Sequence, residues 1–321
     1  MNVTFPYVKT NVSLQQAKRE NRFYNIIDGA RVSAGKTLSV INPATGQHLA
    51  AIPDVDRALL NKAINHARSA FSGWGAVPFG RRKAILASLL NRIDDHADDL
   101  SALLSAEQGG LLAQARWEID LLTKAFGPAL MRMELHEKEQ DLQHIEHITK
   151  RYIPMEAGSA IRLWKLQVIL SFGKVLPALL AGDTVVLRPS PFTPLTVLRI
   201  SEYIHELLPP GVFNVATGGD DLWPWPTAHS EIDLISFTRS TNVGKRVLKS
   251  AADTLFGSIV VFPVSWKPGR WGLASTLLEI LSFQPRFMRT QVLAWSLARK
   301  ASNTFPMNSI NDSVPKELVS P

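Results

Sequence analysis

The chain has 321 residues, of which 45% are hydrophobic and 20% are charged, and its formal net charge is +7. This length and composition exclude a disordered chain and allow one large domain or two smaller ones. The sequence contains no cysteine, which excludes disulfides, thiolate metal sites and cysteine nucleophiles within these residues.

The N-terminal segment, residues 1–23, is expected to be flexible. Its first 20 residues lack the apolar core of a signal peptide, and nowhere do 18 apolar residues run unbroken. We therefore expect a soluble cytoplasmic protein without a membrane partner. The positive charge comes with no basic face interleaved with aromatic residues, so nucleic acid is not an expected partner either.

Short strands and four helices are predicted in the first part of the chain. The strands fall at 24–29 and 38–41, before turns at Asn42-Pro43 and Thr45-Gly46. Asp54 is the predicted N-cap of the first helix, which Gly73–Gly75 ends. The apolar stripe of this helix is formed by Leu60, Ile64, Ala67 and Phe71. The other helices are predicted at about 79–96, 98–108 and 112–125, and we interpret all four as the cover of a sheet.

A possible metal-ligand pair, His144 and His147, lies in the stretch from His144 to Ile153. In a strand, residues three apart point to opposite faces. The two imidazoles therefore diverge, and no metal site is expected.

The stretch from Ser171 to Pro194 combines a helix, a Gly182-Asp183 break, and a buried strand at 184–188. A second helix is predicted to begin at Thr193-Pro194, with Thr193 as its N-cap. Further on, strands are predicted at 212–216 and 232–237, with helices at 194–208 and 241–254. This order predicts an α/β fold with a doubly wound parallel sheet, in which the three strands are parallel neighbours.

Ligands of such sheets bind beyond the carboxyl ends of the strands. This geometry places 188–190, 217–219 and 238–244 around one crevice. It is the candidate binding site.

The residues at 172–194, FGKVLPALLAGDTVVLRPSPFTP, resemble the cofactor-domain signature of the aldehyde dehydrogenase superfamily. The similarity continues at 210–215 and 235–245 and is also found at 42–46. The resemblance implies a Rossmann-like NAD(P)-binding domain over 24–254 and, as activity, oxidation of aldehydes with NAD or NADP as acceptor. It also implies the cofactor-lining positions Ile161, Trp164, Arg188, Ser190, Gly218, Phe237, Ser240, Val243 and Gly244.

Two departures from the family pattern affect the cofactor. Pro191 stands where many NAD-specific members have a glutamate for the ribose hydroxyls, which leaves the choice between NAD and NADP open. Arg239 replaces the glycine of the turn that meets the dinucleotide. We expect this added bulk to make cofactor binding weak.

The catalytic residues of the family are missing. The family uses a cysteine nucleophile, an oxyanion-holding asparagine and a glutamate base, but this chain has no cysteine and carries Lys165 at the asparagine position. Lys165 is interpreted as drift at an unused site, with anion attraction or Schiff-base formation as the alternative. The glutamate motif that should follow Ala252 is absent. We assign no catalytic residue and expect an inactive protein.

The tail, 255–321, does not align with the family, and the catalytic domain is expected to be absent. Helices are predicted in the tail at about 273–283 and 289–300.

The strand at about 144–154 matches the family's oligomerisation arm, which implies a homo- or hetero-oligomer. Two interpretations remain: an inactive family member, or a non-catalytic interaction protein that pairs with a full-length aldehyde dehydrogenase.

Overall fold

The structure is a computed structural model that describes residues 22–134, 138–142, 146–161, 166–219, 225–238, 245–246, 249, 257–261 and 288–296. The described residues fall into two compact units. The larger lies within 1–135 and 152–289, and the smaller within 136–151 and 290–321.

The larger unit contains most of the regular structure. Its strands are β1 (Asn25–Ile27), β2 (Ala30–Val32), β3 (Lys36–Ile41), β4 (His48–Asp54), β7 (Ala157–Ile161), β8 (Thr184–Arg188), β9 (Phe213–Val215), β10 (Leu234–Thr238) and β11 (Gly257–Val261). The remaining strands, β5 (Lys138–Leu142), β6 (Glu146–Pro154) and β12 (Met288–Ser296), form a separate sheet that is described last. Its helices are α1 (Arg57–Gly75), α2 (Phe79–Asp95), α3 (Ala97–Gln108), α4 (Leu112–Asp120), α5 (Gly127–Met131), α6 (Gln167–Ala181) and α7 (Leu195–Ile204).

A seven-stranded sheet with the order β11-β10-β7-β8-β9-β1-β2 forms the centre of this unit. The five strands from β11 to β9 are parallel, and β1 and β2 extend the sheet in antiparallel fashion. The predicted α/β parallel sheet is confirmed. The predicted neighbour relation is wrong for β10, because β7 lies between β10 and β8. The sequence of β7, AGSAI, is made mainly of small residues and lacks the β-branched run seen in β8 and β11.

Apolar side chains cover both faces of the sheet. Val185 and Leu187 of β8 belong to the core formed with α2, α3, α4, α6 and α7. Val186, between them, belongs to a second core with Leu60 and Ile64 of α1. Side chains alternate across a strand, so one β-branched strand supplies both cores, as expected for a doubly wound fold.

Helix α6 is buried along all 15 of its residues and ends at Gly182, whose φ is +104°. Arg82 of α2 closes this end: its Nε donates to the Leu180 carbonyl at 2.9 Å, and its Nη1 donates to the Gly75 carbonyl at 3.3 Å. One guanidinium therefore satisfies carbonyls at the C-termini of both α6 and α1, which helices leave unpaired.

Side-chain carboxylates hold the amino ends of the parallel strands. Asp183 Oδ1 accepts a hydrogen bond from the Glu156 amide at 3.2 Å, and Asp233 Oδ2 accepts from the Ala157 amide at 3.1 Å. The Arg68 guanidinium lies 2.9 Å from Asp233 and 3.1 Å from Glu231. These contacts anchor β7 between its neighbours at the edge opposite the predicted crevice.

The predicted helices at 79–96 and 98–108 are confirmed as α2 and α3, and the helix predicted at 112–125 continues past α4 as a π-helix over Leu121–Phe126. Two predicted caps are wrong. Asp56, not Asp54, is the N-cap of α1, since its Oδ1 accepts from the Leu59 amide at 2.8 Å. Helix α7 begins at Leu195, with Pro194 rather than Thr193 at its N-cap position.

A separate three-stranded sheet has the order β12-β6-β5, with β5 (Lys138–Leu142) antiparallel to β6 (Glu146–Pro154). Its third strand, β12 (Met288–Ser296), contradicts the helix predicted at 289–300. Strand β12 pairs with β6, which provides hydrogen-bond partners for the backbone groups of β12. Such tertiary context overrides local helix propensity. His144, the helix predicted at 273–283 and most of the helix predicted at 241–254 lie outside the described residues.

Candidate functional site

The predicted crevice lies at the carboxyl edge of the parallel strands, where β7, β10 and β8 end side by side. In register, Ile161 pairs with Arg188 on one side and with Phe237 on the other. Three of the residues predicted to line the cofactor therefore come from adjacent strands at the same edge. Such edges are where open α/β sheets bind ligands.

Arg188 is buried, and its guanidinium faces the loop that follows β9. Its Nη2 donates to the Gly218 carbonyl at 3.1 Å and also to the Gly219 carbonyl. Arg188 thus ties the end of β8 to the loop after β9. Because these N–H groups of Arg188 already donate to the protein, fewer of them are available to a ligand.

The loop 216–219 after β9 is held in place by Asn25 and Asp54, two residues that were not predicted as part of the site. Thr217 donates through both its amide and its hydroxyl to Asn25 Oδ1, at 2.9 Å each. The Gly219 amide donates to Asp54 Oδ1 at 3.0 Å. Asp54, predicted as a helix cap, therefore stabilises the loop that carries the predicted site residue Gly218.

We define the rim loop as residues 189–194, which connect β8 to α7. Its Ser190 and Thr193 are buried, while the side chain of Phe192 is exposed. Ser190 Oγ accepts a hydrogen bond from the Phe192 amide at 3.3 Å. The rim loop thus combines two buried hydroxyl residues, one of which accepts a backbone hydrogen bond, with one exposed aromatic ring.

The N-terminus of α7 is occupied by a buried carboxylate from α3. Glu107 Oε2 accepts from the Leu195 amide at 2.7 Å, and Oε1 accepts from the Thr196 amide at 3.0 Å. Burial raises the pKa of Glu107 to about 7, the hydrogen bonds from Thr196 and Leu195 oppose this rise, and the nearby Glu118 carboxylate adds to it. A remote side chain therefore performs the capping that Thr193 was predicted to supply.

The N-terminus of α6 is occupied in the same way. Glu118 Oε1, from α4, accepts from the Val168 amide at 2.7 Å and from the Ile169 amide at 3.1 Å. Helix N-termini are common phosphate-binding positions because their amides are free. At α6 and α7 the protein's own carboxylates already occupy these amides.

The other residues that the sequence assigned to this region lie outside the described residues. They are Trp164, Lys165, Arg239, Ser240, Val243 and Gly244. An open cleft of about 1100 Å³ lies elsewhere, lined mainly by 33–36 and 54–59, and shares only Asp54 with the crevice contacts described above.

Within the described ranges, no three acidic or histidine side chains are grouped so as to hold a metal ion. In the same part of the chain, no helix is both long and apolar enough to cross a bilayer.

Comparison with known proteins explains this arrangement of strands and crevice. The family model for the aldehyde dehydrogenase family matches residues 31–261. The chain belongs to the aldehyde dehydrogenase family. The match extends past residue 254, where the domain implied by the resemblance ends, and includes β11, which pairs in parallel with β10.

Individual relatives and solved structures are similar to this chain over about half of their own length. The chain is 32% identical to the aldehyde dehydrogenase LUC3 of Fusarium sp, over 73% of this chain and 49% of the relative. A solved E. coli NADP-dependent enzyme is 29% identical, with a TM-score of 0.71 over 76% of this chain and 52% of its own. The betaine aldehyde dehydrogenase of Staphylococcus aureus, solved with NAD+, shares the fold at 23% identity, with a TM-score of 0.72 over 77% of this chain and 51% of its own. The chain thus spans about half the length of these proteins.

Proposed function

We propose that this chain is an aldehyde dehydrogenase family protein that binds NAD(P)+ weakly at the carboxyl-edge crevice and, as a 321-residue chain, does not oxidise aldehydes. The observation that supports a dinucleotide site is the alignment of Ile161, Arg188 and Phe237 at the ends of three adjacent parallel strands. The absence of any cysteine from the sequence supports the lack of activity.

The described part of the crevice offers few hydrogen-bond donors to the phosphates of a dinucleotide. Arg188 is engaged by two loop carbonyls, and Glu118 and Glu107 occupy the amides at the starts of α6 and α7. These groups can orient the loops around a nucleotide but leave little capacity for its phosphates. Bound NAD(P)+ would supply a hydride acceptor. The residues of this chain supply positioning only.

The proposed inactivity follows from how the family reaction depends on its parts. A thiolate attacks the aldehyde, an amide holds the oxyanion, and a carboxylate activates water. Groups that act as a unit lose orders of magnitude in rate when one of them is removed. These 321 residues contain no thiol, and position 165 carries a lysine in place of the amide.

The activity test is the formation of NADH or NADPH by the purified chain with a panel of aldehydes. We expect no rate above background with either NAD+ or NADP+, and no recovery in Lys165→Asn, because an amide alone does not replace the nucleophile. Turnover that survives repurification and persists in Lys165→Ala would contradict the proposal, since it would require another nucleophile.

The proposal that this chain binds NAD(P)+ weakly is tested with the variant Arg239→Gly. Glycine at this turn would let the backbone approach the dinucleotide, so we expect tighter NAD+ binding by titration calorimetry. Arg246→Gly serves as the control, since it removes the same side chain a few residues further along the chain. Equal NAD+ affinity of Arg239→Gly and the unmodified chain would contradict our explanation of the weak binding.

A second function, pairing with a full-length aldehyde dehydrogenase, is favoured by the separate unit that contains the β5–β6 strand pair. Strand β5 lies at an edge of this three-stranded sheet, and an edge strand presents backbone groups to which a strand of a partner can be added. Co-purification with a complete relative, and its loss in Gln140→Pro of β5, is the expected result. The cytoplasmic location predicted from the sequence stays a prediction.

A further inference from the structure

The rim loop is attached to the rest of the protein through the start of α7, and this start depends on one residue of α3. The two amides that begin α7 donate to the two carboxylate oxygens of Glu107, at 2.7 and 3.0 Å. Glu107 is 1% exposed, so water does not replace it there. The adjoining helix α4 supplies Glu118, which holds the start of α6 by the same contact.

We propose that Glu107 is a positioning residue for the nucleotide crevice, which holds the rim loop through α7 without touching the nucleotide. The inference rests on the proposed function, because it assigns a role toward the same crevice. A loop that is already held in place loses less conformational freedom when a ligand binds, so its fixation favours affinity.

The protonation state of Glu107 provides a way to vary this contact. Its pKa is raised to about 7 by burial, with repulsion from Glu118 of α4 acting in the same direction. From α7 it is faced by the uncharged amides of Leu195 and Thr196, and the turn at Pro43 and Ala44 that contacts the end of α3 carries no charge. A protonated carboxyl group accepts less well than a carboxylate. The loop is therefore held more weakly below about pH 7.

Amide hydrogen exchange tests the positioning directly. In Glu107→Gln we expect exchange at Phe192, Thr193, Leu195 and Thr196 to accelerate by roughly tenfold, the usual effect of losing a helix cap. Glu118→Gln is the matched variant, since it removes the equivalent carboxylate from α6. At about pH 8.5, where Glu107 is ionised with or without the Glu118 charge, it should accelerate exchange at Val168 and Ile169 and leave the rim loop unchanged.

NAD+ affinity supplies the second readout, measured by ligand-detected NMR at about pH 5.5 and 8.5, on either side of the titration. The unmodified chain should bind more tightly at the higher pH, and Glu107→Gln should bind weakly and equally at both. Ser101→Ala, which changes another buried polar residue of α3, should retain the pH dependence.

Unchanged exchange in the rim loop of Glu107→Gln would overturn the inference. So would accelerated exchange together with unchanged NAD+ affinity, because Glu107 would then be a purely structural cap. If the unmodified chain bound no NAD+ at either pH, the proposed function would fail, and the exchange data alone would decide whether Glu107 holds the loop.

Discussion

Glu107 has an environment that its sequence context does not indicate. It lies in a helix that was predicted only to cover a sheet, yet it is buried and its two oxygens cap another helix. The contact joins residues 88 positions apart. No local pattern in the sequence marks such a contact, because periodicity reports which face of a helix is buried and not what an individual polar group meets there.

The raised pKa of Glu107 predicts a pH dependence of stability. The pKa is about 7 in the fold against an ordinary value of 4.5, so the folded state binds the proton more tightly than the unfolded state. The free energy of unfolding should therefore fall as pH rises from about 4.5 to 7, by about 3 kcal/mol from this residue, and level off above.

Urea unfolding of Glu107→Gln across this range checks the prediction. The glutamine cannot titrate, so its unfolding free energy should lack this decrease, while Ser101→Ala should keep it. A slope that is the same in the Glu107→Gln and unmodified chains would show that Glu107 does not titrate as its burial indicates.

At the scale of elements, the end of α6 was predicted correctly because it depends on local chemistry. Gly182 and Asp183 signal a break, and the structure places Gly182 at φ +104°. The start of α7 was predicted wrongly because its cap comes from α3, a distant part of the chain. Local turns can thus be predicted from neighbouring residues, whereas remote caps cannot.

Two glycine-to-alanine changes should have opposite effects on stability. At Gly182, a Cβ would lie 2.9 Å from Pro154 Cγ in a backbone conformation that alanine disfavours, so Gly182→Ala should destabilise by about 1–3 kcal/mol. Gly73 lies inside α1 with no atom within 4 Å of the added Cβ, so Gly73→Ala should stabilise by about 0.5–1 kcal/mol.

Thermal unfolding of the two variants checks this contrast in one experiment. A lowered Tm for Gly182→Ala and a raised Tm for Gly73→Ala are expected. If both changes lowered the Tm alike, neither the left-handed backbone of Gly182 nor the open surface at Gly73 would account for the result.

At the scale of the whole molecule, the sequence predicts the fold class better than the order of strands. The apolar runs in β8, β9 and β10 identify them as buried strands, and all three are parallel members of one sheet. The central position of β7 could not be predicted, since Ala157, Gly158, Ser159 and Ala160 give little strand signal. The crevice edge follows from the fold, but the residues that fix its loops, Asn25 and Asp54, come from distant segments.

The double cover of the sheet predicts that Val186→Asp unfolds the larger unit. Val186 is 1% exposed, and an unpaired charge at such a position costs several kcal/mol against a total stability of about 5–15 kcal/mol. We expect loss of cooperative thermal unfolding and of near-ultraviolet circular dichroism. Ser39→Asp, on an exposed position of β3, should leave both unchanged.

The antiparallel pairing of β1 with β9 also affects when the protein can fold. Ile26 pairs with Val215, so the two partners are 189 residues apart in the chain. At typical synthesis rates this separation corresponds to roughly 10 to 40 s during which β1 has left the ribosome before its partner strand exists. The apolar Ile26 and Ile27 are exposed to other nascent chains over this interval, and contacts of such long sequence separation form slowly even afterwards. Chaperone binding to the first strand during translation is the expected consequence.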